Sequence, residues 1–328
     1  MITRRKVLLA IATTLLAMPL AGETQNAQKV YRVGYLGNSS ASLEPDLVEA
    51  FRQGMRDRGY IEGKNLVIEF RWAEGRYDRF ASLVTDLIHL PVDVIVTAGT
   101  PGTLAAKNAT GTIPVVMAVS GDAVGTGLVK SLARPGGNVT GLTTMASELE
   151  GKRLELLREM LPKLARITVL KNDVNPLMAI QLRQTAAAAK SSRVALESVD
   201  IRAVDDFEKA FASMAKARPD AIIVLADRFL LAERERILTF AAEQRFAAMY
   251  PYREFVEHGG LISYSPNYAE SFRSAARYVD KILKGTKPAD LPVEQPTKFE
   301  LVVNMKTAKT LGFKIPNSIL LRADGVIK

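Results

Sequence analysis

Small and polar residues stand where several predicted strands end, and these loops carry the side chains best suited to binding a ligand. In the first half of the chain they are residues 37–40 (Gly-Asn-Ser-Ser), 97–102 (Thr-Ala-Gly-Thr-Pro-Gly) and 120–122 (Ser-Gly-Asp). Ligands of open α/β sheets bind at the carboxyl ends of the strands. The loop at 97–102 leads into a predicted helix, so its hydroxyls and backbone N–H groups would be open to an anion such as a carboxylate.

The second half of the chain repeats this arrangement at 172–173 (Asn-Asp), 227–228 (Asp-Arg) and 264–265 (Tyr-Ser). Two halves that each present such loops predict a ligand-binding cleft between them. Asp227 is the natural partner for an ammonium group on the ligand. The alternative is that these residues only cap helices and shape turns.

Motifs for catalysis or metal binding are incomplete. Residues 59–65 resemble a phosphate-binding loop, but one residue is missing between the glycines and Asn65 replaces Ser or Thr. His89 and His258 fall at predicted helix ends without the neighbours of a metal site. The chain has no cysteine, which excludes disulfides, thiol catalysis, Cys-ligated metals and a lipoprotein anchor. We therefore expect no catalytic residue, no metal and no cofactor.

The first residues have the pattern of an export signal. Residues 1–6 are basic and residues 7–21 are uncharged and apolar, which is typical of a signal peptide and short for a transmembrane helix. We predict a signal peptide at 1–27 and export to the periplasm by the Sec or the twin-arginine route, the latter because of Arg4 and Arg5. An uncleaved membrane anchor is the alternative.

The charge distribution gives no indication of a nucleic-acid partner. The formal net charge is +9, but the basic residues are scattered and do not alternate with aromatic residues in any one segment. This balance leaves a mild preference for an acidic ligand or for an anionic membrane surface.

Short β-branched runs alternate with longer amphipathic runs, which predicts parallel sheets covered by helices. Predicted strands lie at 31–36, 65–72, 92–97, 113–119, 166–171, 194–201, 220–226, 247–250, 261–264 and 299–304. Predicted helices lie at 46–58, 80–88, 147–160, 176–190, 205–217, 230–245, 268–284 and 305–311. The pattern restarts after residues 136–144, which are interpreted as a crossover, so we expect two similar α/β units in tandem.

Five segments of the chain resemble one protein family. They are GYIEGKNLVIEFRWAEG (59–75), VTAGTPGTLAAKNATGTIPVV (96–116), LVKSLARPGGNVTG (128–141), YREFVEHGGLISYSPN (252–267) and the tail at 284–324. In these segments the chain is similar to ABC-transporter substrate-binding proteins of the tryptophan/tyrosine-binding type. The resemblance implies an α/β fold of the type I periplasmic binding proteins, with two Rossmann-like lobes of parallel sheets joined by three hinge strands.

The resemblance also implies limits for the lobes and a set of ligand contacts. Lobe one would hold 28–144 with 266–290, lobe two 145–265 with 291–328, and the hinge crossings would fall near Thr143, Ser265 and Leu291. The implied ligand contacts are Ser39, Ser40, Thr97, Gly99, Thr100 and Asp122 in lobe one, and Asn172, Asp227 and Tyr264 in lobe two. Arg228 departs from the family pattern, in which a Pro or a small polar residue follows the aspartate. It would either alter the ligand or pair with Asp227.

The function implied is that of an exported solute-binding component of an ABC importer. Its partners would be a small-molecule ligand, such as an amino acid or a related carboxylate, and the inner-membrane permease, and the protein would be a monomer. One alternative is a periplasmic ligand sensor with the same fold. Another is an exported hydrolase, which would need a nucleophile and a base in the cleft; neither histidine lies on a cleft loop.

Overall fold

The computed structural model describes residues 29–144 and 146–328, and the predicted signal peptide at 1–27 lies outside them. Five parallel strands form the first sheet, in the order β2-β1-β3-β4-β5. They are β1 (Tyr31–Gly37), β2 (Leu66–Trp72), β3 (Val94–Ala98), β4 (Val115–Val119) and β5 (Val139–Gly141). Strands β3 and β4 are buried along their whole length, as in a sheet covered on both faces.

The second sheet repeats this order and extends it. Its strands are β6 (Arg166–Lys171), β7 (Ala195–Asp200), β8 (Ala221–Val224), β9 (Ala247–Tyr250), β10 (Ile262–Pro266), β11 (Phe299–Asn304) and β12 (Gly325–Ile327). The order β7-β6-β8-β9-β10 matches that of the first sheet, and β11 and β12 follow at the far edge. The strands are parallel except for the β10–β11 pair, which is antiparallel. The predicted α/β fold with two parallel-sheet lobes is therefore confirmed.

Helices cover both sheets. They are α1 (Pro45–Arg56), α2 (Phe80–Ile88), α3 (Thr100–Ala109), α4 (Ala146–Met160), α5 (Met178–Ser191), α6 (Asp206–Ala217), α7 (Arg228–Ala232), α8 (Arg234–Glu243), α9 (Arg253–Glu257), α10 (Tyr268–Leu283), α11 (Met305–Leu311) and α12 (Asn317–Leu320), with 3₁₀ turns at Tyr77–Arg79 and Pro288–Asp290. None of the helices in the described ranges is long and apolar enough to cross a membrane.

Two sequence-based predictions differ from the structure. The helix predicted at 230–245 is two helices, because Asp227 caps an earlier start at Arg228 and Glu233 leaves helical geometry between them. The predicted crossover at 136–144 contains β5, whose three residues are too few to show a periodicity.

The chain passes three times between the sheets, after β5, between β10 and α10, and before β11. We call the first sheet with its covering helices, α10 included, lobe one, and the second sheet with its helices lobe two. The first and third passes are hydrogen-bonded, since Thr143 N–H donates to the Glu294 carbonyl at 2.9 Å. The residue limits predicted for the lobes and the three hinge positions stay a prediction.

Helix α10 returns from lobe two and packs closely on α1 at Gly54. A Cβ at this position would lie 2.5 Å from the Arg273 carbonyl oxygen and 2.8 Å from the Ala276 Cβ. Only glycine allows the two helix backbones to approach this closely. The contact therefore fixes where the chain rejoins lobe one.

Replacing Gly54 by Ala should lower the free energy of unfolding by about 1–3 kcal/mol, because the new methyl group overlaps the backbone of α10. Gly151→Ala in α4 is the matched control, since a Cβ there meets nothing within 4 Å. It should raise stability by about 0.5–1 kcal/mol through helix propensity alone. Urea unfolding followed by circular dichroism measures both, and an equally stable Gly54→Ala protein would contradict the close helix contact.

Candidate functional site

A cavity lies between the two lobes, where both sheets present the carboxyl ends of their strands. In each sheet the strand order reverses between the first and third strands, β1 and β3 in lobe one and β6 and β8 in lobe two. Such switch points are where open α/β sheets bind ligands. The cavity volume is about 30 Å³, room for about two water molecules, and further space around it is open to solvent. Its walls are Asn38, Tyr77, Gly99, Thr100, Pro101, Val119, Ser120, Gly121, Thr144, Asn175, Leu177, Ala226, Asp227, Arg228, Tyr252 and Tyr268.

The wall from lobe one forms where Asn38, after β1, packs against the backbone of Gly99, after β3. Gly99 has a φ of +80°, and its N–H donates to the Val119 carbonyl at 2.7 Å. A Cβ at Gly99 would lie 2.4 Å from the side-chain nitrogen of Asn38. That nitrogen donates to the Ala98 carbonyl, which fixes the amide with Oδ1 on its other side. Glycine is required here both by its φ and by the space that Asn38 occupies.

The wall from lobe two centres on the buried carboxylate of Asp227. Its Oδ1 accepts hydrogen bonds from the N–H groups of Phe229 (3.0 Å) and Leu230 (3.1 Å), and from Asn172 Nδ2 (3.2 Å). Its Oδ2 accepts from Asn175 Nδ2 (2.9 Å) and from the Tyr77 hydroxyl (2.8 Å). An ionised carboxylate has about four lone-pair sites, so these five donors leave no acceptor for a ligand ammonium.

Burial raises the pKa of the Asp227 carboxyl, and the hydrogen bonds from Asn175, Tyr77, Leu230 and Asn172 act in the opposite direction. These donors stabilise the charged form that burial disfavours. The carboxylate is therefore held by the protein's own donors.

Contacts across the cleft hold the two lobes together. The hydroxyl of Tyr77, which follows β2 in lobe one, donates to Asp227 in lobe two. Gly121 faces Leu177, and a Cβ on Gly121 would lie 2.0 Å from a methyl carbon of that leucine. The cavity is thus enclosed by both lobes in direct contact.

Arg228 follows Asp227 and lies in the cavity wall. Its side chain does not pair with Asp227; the guanidinium carbon lies 4.7 Å from the Tyr252 ring centroid and 5.2 Å from that of Tyr268. The residue is 4% exposed, and neither Nη1 nor Nη2 has a hydrogen-bond partner. Burial acts to lower its pKa, but Tyr252, Glu44 and other neighbours raise it, so the group stays charged.

Two buried acceptors complete the inventory of unpartnered polar atoms in the cavity wall. The Oδ1 of Asn38 and the hydroxyl of Ser120 have no hydrogen-bond partner. Buried polar groups are normally hydrogen-bonded, and each exception calls for an explanation. Together with Arg228 they give this cavity both unpaired donors and unpaired acceptors.

Three of the nine predicted contact residues, Gly99, Thr100 and Asp227, lie in the cavity wall. The other six lie outside it. Ser39 is hydrogen-bonded to Glu44, Ser40 to Ser42, Thr97 to Thr103, Asp122 to Gly125 N, and Asn172 to Asp227, while the Tyr264 ring stacks on Phe299. Asn172 thus donates to the wall residue Asp227 without itself lining the cavity. The predicted set of ligand contacts stays a prediction.

Several wall residues were not singled out from the sequence: Asn38, Tyr77, Ser120, Asn175, Tyr252 and Tyr268. Asn38 and Ser120 stand in loops already interpreted as ligand-facing, so the strand-end rule was sufficient to find them. Tyr77, Tyr252 and Tyr268 come after β2, β9 and β10, so the same rule applied to those strands would have indicated them. Within the described ranges no group of three or more His, Cys, Asp or Glu residues is placed to hold a metal ion.

A family model described as ABC transporter substrate binding protein matches residues 42–327. The chain belongs to this family. It is 28% identical over 282 residues to the tyrosine-binding protein of Clostridioides difficile (strain R20291), covering 85% of this chain and 81% of the relative.

Solved structures agree with this assignment. A conserved domain protein from Vibrio cholerae O1 superposes with a TM-score of 0.86 at 28% identity, over 91% of this chain and 100% of the other. An ABC domain from Streptococcus pneumonia in complex with L-Trp gives a TM-score of 0.85 at 26% identity with the same coverage. One of these relatives is thus named for binding tyrosine, and another is solved in complex with L-Trp.

Replacing Tyr77 by Phe should favour the open form about tenfold or more, because it removes a hydrogen bond to a charged group that exists only when the lobes meet; such bonds contribute about 1.5–3 kcal/mol. Tyr60→Phe is the control, since the Tyr60 hydroxyl also donates to a carboxylate, Asp280, at 3.0 Å but within lobe one. Small-angle X-ray scattering should show a larger radius of gyration for Tyr77→Phe alone. Identical profiles for both variants and the parent would show that this bond does not hold the lobes.

Proposed function

We propose that this protein is the exported solute-binding component of an ABC importer, which captures a small ligand between its lobes and closes over it. The observation that carries the proposal is the cavity at the two facing switch points, with walls from both sheets and unpartnered donors and acceptors. Family membership supports the transport role, because the matched family serves ABC transporters.

The connection between the lobes supports a closing motion. Three passes of the chain join them, and the Tyr77–Asp227 hydrogen bond and the Gly121–Leu177 contact form only when they meet. A ligand that touches both walls binds the closed form better than the open one and therefore shifts the population toward closure.

The relatives indicate the size and the class of ligand. One is named for tyrosine and another is solved with L-Trp, which are both amino acids. We propose an amino acid or a related carboxylate as the ligand of this chain.

The proposal places the mature protein in the periplasm, after cleavage of the predicted signal at 1–27. It would act as a monomer and deliver its ligand to the permease in the inner membrane. These statements rest on the sequence pattern and on the family.

The test is a thermal-shift screen of the mature protein from residue 28, with amino acids, aromatic carboxylates, amines, nucleosides and sugars. A ligand at a hundred times its Kd stabilises the folded state by about 2.7 kcal/mol, which gives a clear rise in melting temperature. A class of compound that raises the melting temperature and also lowers the radius of gyration supports capture by closure. No shift with any class would overturn the proposal.

Replacing Gly121 by Val should weaken ligand binding at least tenfold, because the added side chain meets Leu177 of lobe two and keeps the lobes apart. Gly137→Val is the matched control, since a Cβ there meets nothing within 4 Å. Isothermal titration calorimetry with the hit from the screen measures both. Equal affinity of Gly121→Val and the parent would show that full closure is not needed for binding.

A further inference from the structure

The guanidinium of Arg228 carries a buried positive charge without an ion-pair partner among the described residues. Burying a charge is costly unless it is paired and hydrogen-bonded. Glu44 and Glu254 lie near enough to act on Arg228 through their charge. Neither is hydrogen-bonded to the Nη atoms of Arg228, and Glu254 Oε2 is also buried without a partner. The carboxylate of Glu44 instead accepts from Ser39 and, at 3.4 Å, from the Tyr35 hydroxyl. These carboxylates act on the guanidinium from a distance, and the Nη donors of Arg228 are left for a ligand to bond.

The contacts of Arg228 with two tyrosine rings leave its Nη donors available to hydrogen-bond a ligand. Tyr252 and Tyr268 contact the guanidinium through their ring faces, at 4.7 Å and 5.2 Å from the centroids. Such contacts stabilise the cation but use none of its N–H donors. Both Nη atoms remain without partners, and the planar fork they form matches a carboxylate through two parallel hydrogen bonds.

The hydrogen-bond acceptors of the cavity wall that have no partner are neutral. Asp227 lies in the wall, but its oxygens accept from five donors of the protein. The unpartnered acceptors are Asn38 Oδ1 and Ser120 Oγ, which are able to accept from a hydroxyl or an N–H group but carry no charge to pair with an ammonium. While the Asp227 bonds hold, the wall therefore offers an ammonium group no free carboxylate.

We propose that the ligand is a small organic carboxylate, held through its two oxygens by Nη1 and Nη2 of Arg228, and that an α-ammonium group is not required for binding. This inference rests on the proposed function and names the chemical class of ligand for the same cleft. It predicts that a carboxylate without an ammonium group binds as well as the amino acids named for the relatives.

The test compares three probes of one shape by isothermal titration calorimetry: L-tyrosine, 3-(4-hydroxyphenyl)propionate, which lacks the ammonium group, and tyramine, which lacks the carboxylate. We expect the propionate to bind at least as tightly as tyrosine and tyramine to bind at least a hundredfold more weakly. Tyramine binding as well as tyrosine, or a tenfold loss for the propionate relative to tyrosine, would overturn the inference.

If none of the three probes binds, the thermal-shift screen decides. Hits that include carboxylates without an ammonium group support the inference. Hits confined to amino acids, sugars, nucleosides or amines overturn it and leave the proposed function standing. The absence of hits in every class overturns the proposed function itself, and this inference with it.

Variants of Arg228 separate ligand binding from a structural role. Arg228→Met should weaken binding of the carboxylate probe about a hundredfold, in the range expected for lost hydrogen bonds to a charged group. Arg228→Lys should have an affinity between those of the parent and Arg228→Met, because an ammonium keeps the charge but lacks two parallel N–H donors. Arg236→Gln, an exposed arginine paired with Glu233 at 2.9 Å, is the control and should bind normally.

Melting without ligand gives the second readout. Arg228→Met should melt close to the parent's temperature, because it removes both the desolvation cost of a buried charge and the contacts of that charge with the tyrosine rings. A lower melting temperature with unchanged carboxylate affinity, in Arg228→Met or in Arg228→Lys, would assign Arg228 a structural role and overturn the inference.

Discussion

The buried carboxylate of Asp227 is the point at which the local structure of one lobe meets the other. Two of its hydrogen bonds come from the first N–H groups of α7, so it starts that helix in the ordinary manner of a capping residue. Two more come from Asn172 and Asn175, which follow the neighbouring strand β6. The fifth comes from Tyr77 in lobe one. The Asp227 carboxylate therefore connects the strand ends of lobe two, and it bonds to Tyr77 only when lobe one is in contact.

This arrangement determines the electrostatics of the cleft. A carboxylate satisfied by the protein is unavailable to the ligand, although it remains in the cavity wall. Arg228, one residue further, has the opposite character, because tyrosine rings surround it and leave its outer donors unpaired. Adjacent residues of opposite charge thus differ in role: one is committed to the protein's own network and the other is left for recognition.

The fold places the carboxyl ends of the strands of both sheets at the cleft. Both sheets share the strand order of a doubly wound unit, so each has a switch point flanked by its first and third strands. Contacts such as Gly54 against α10 fix the return of the chain to lobe one. The proposed closing motion would change the cleft and leave the cores of the lobes intact, because each lobe buries its own strands.

The amino-acid sequence alone determined the alternation of strands and helices, because buried parallel strands and amphipathic helices have distinct hydrophobic periods. It also placed Gly99, Thr100 and Asp227 at strand ends, since that rule depends only on local order along the chain. It did not locate β5, which is too short for a period to appear, and it interpreted Asp227 as a ligand partner. Only the tertiary structure decided that Tyr77, Asn172 and Asn175 fill the oxygens of Asp227 and that Tyr252 and Tyr268 enclose Arg228. These partners are far apart in sequence, and which donor satisfies which acceptor depends on distances that no local pattern encodes.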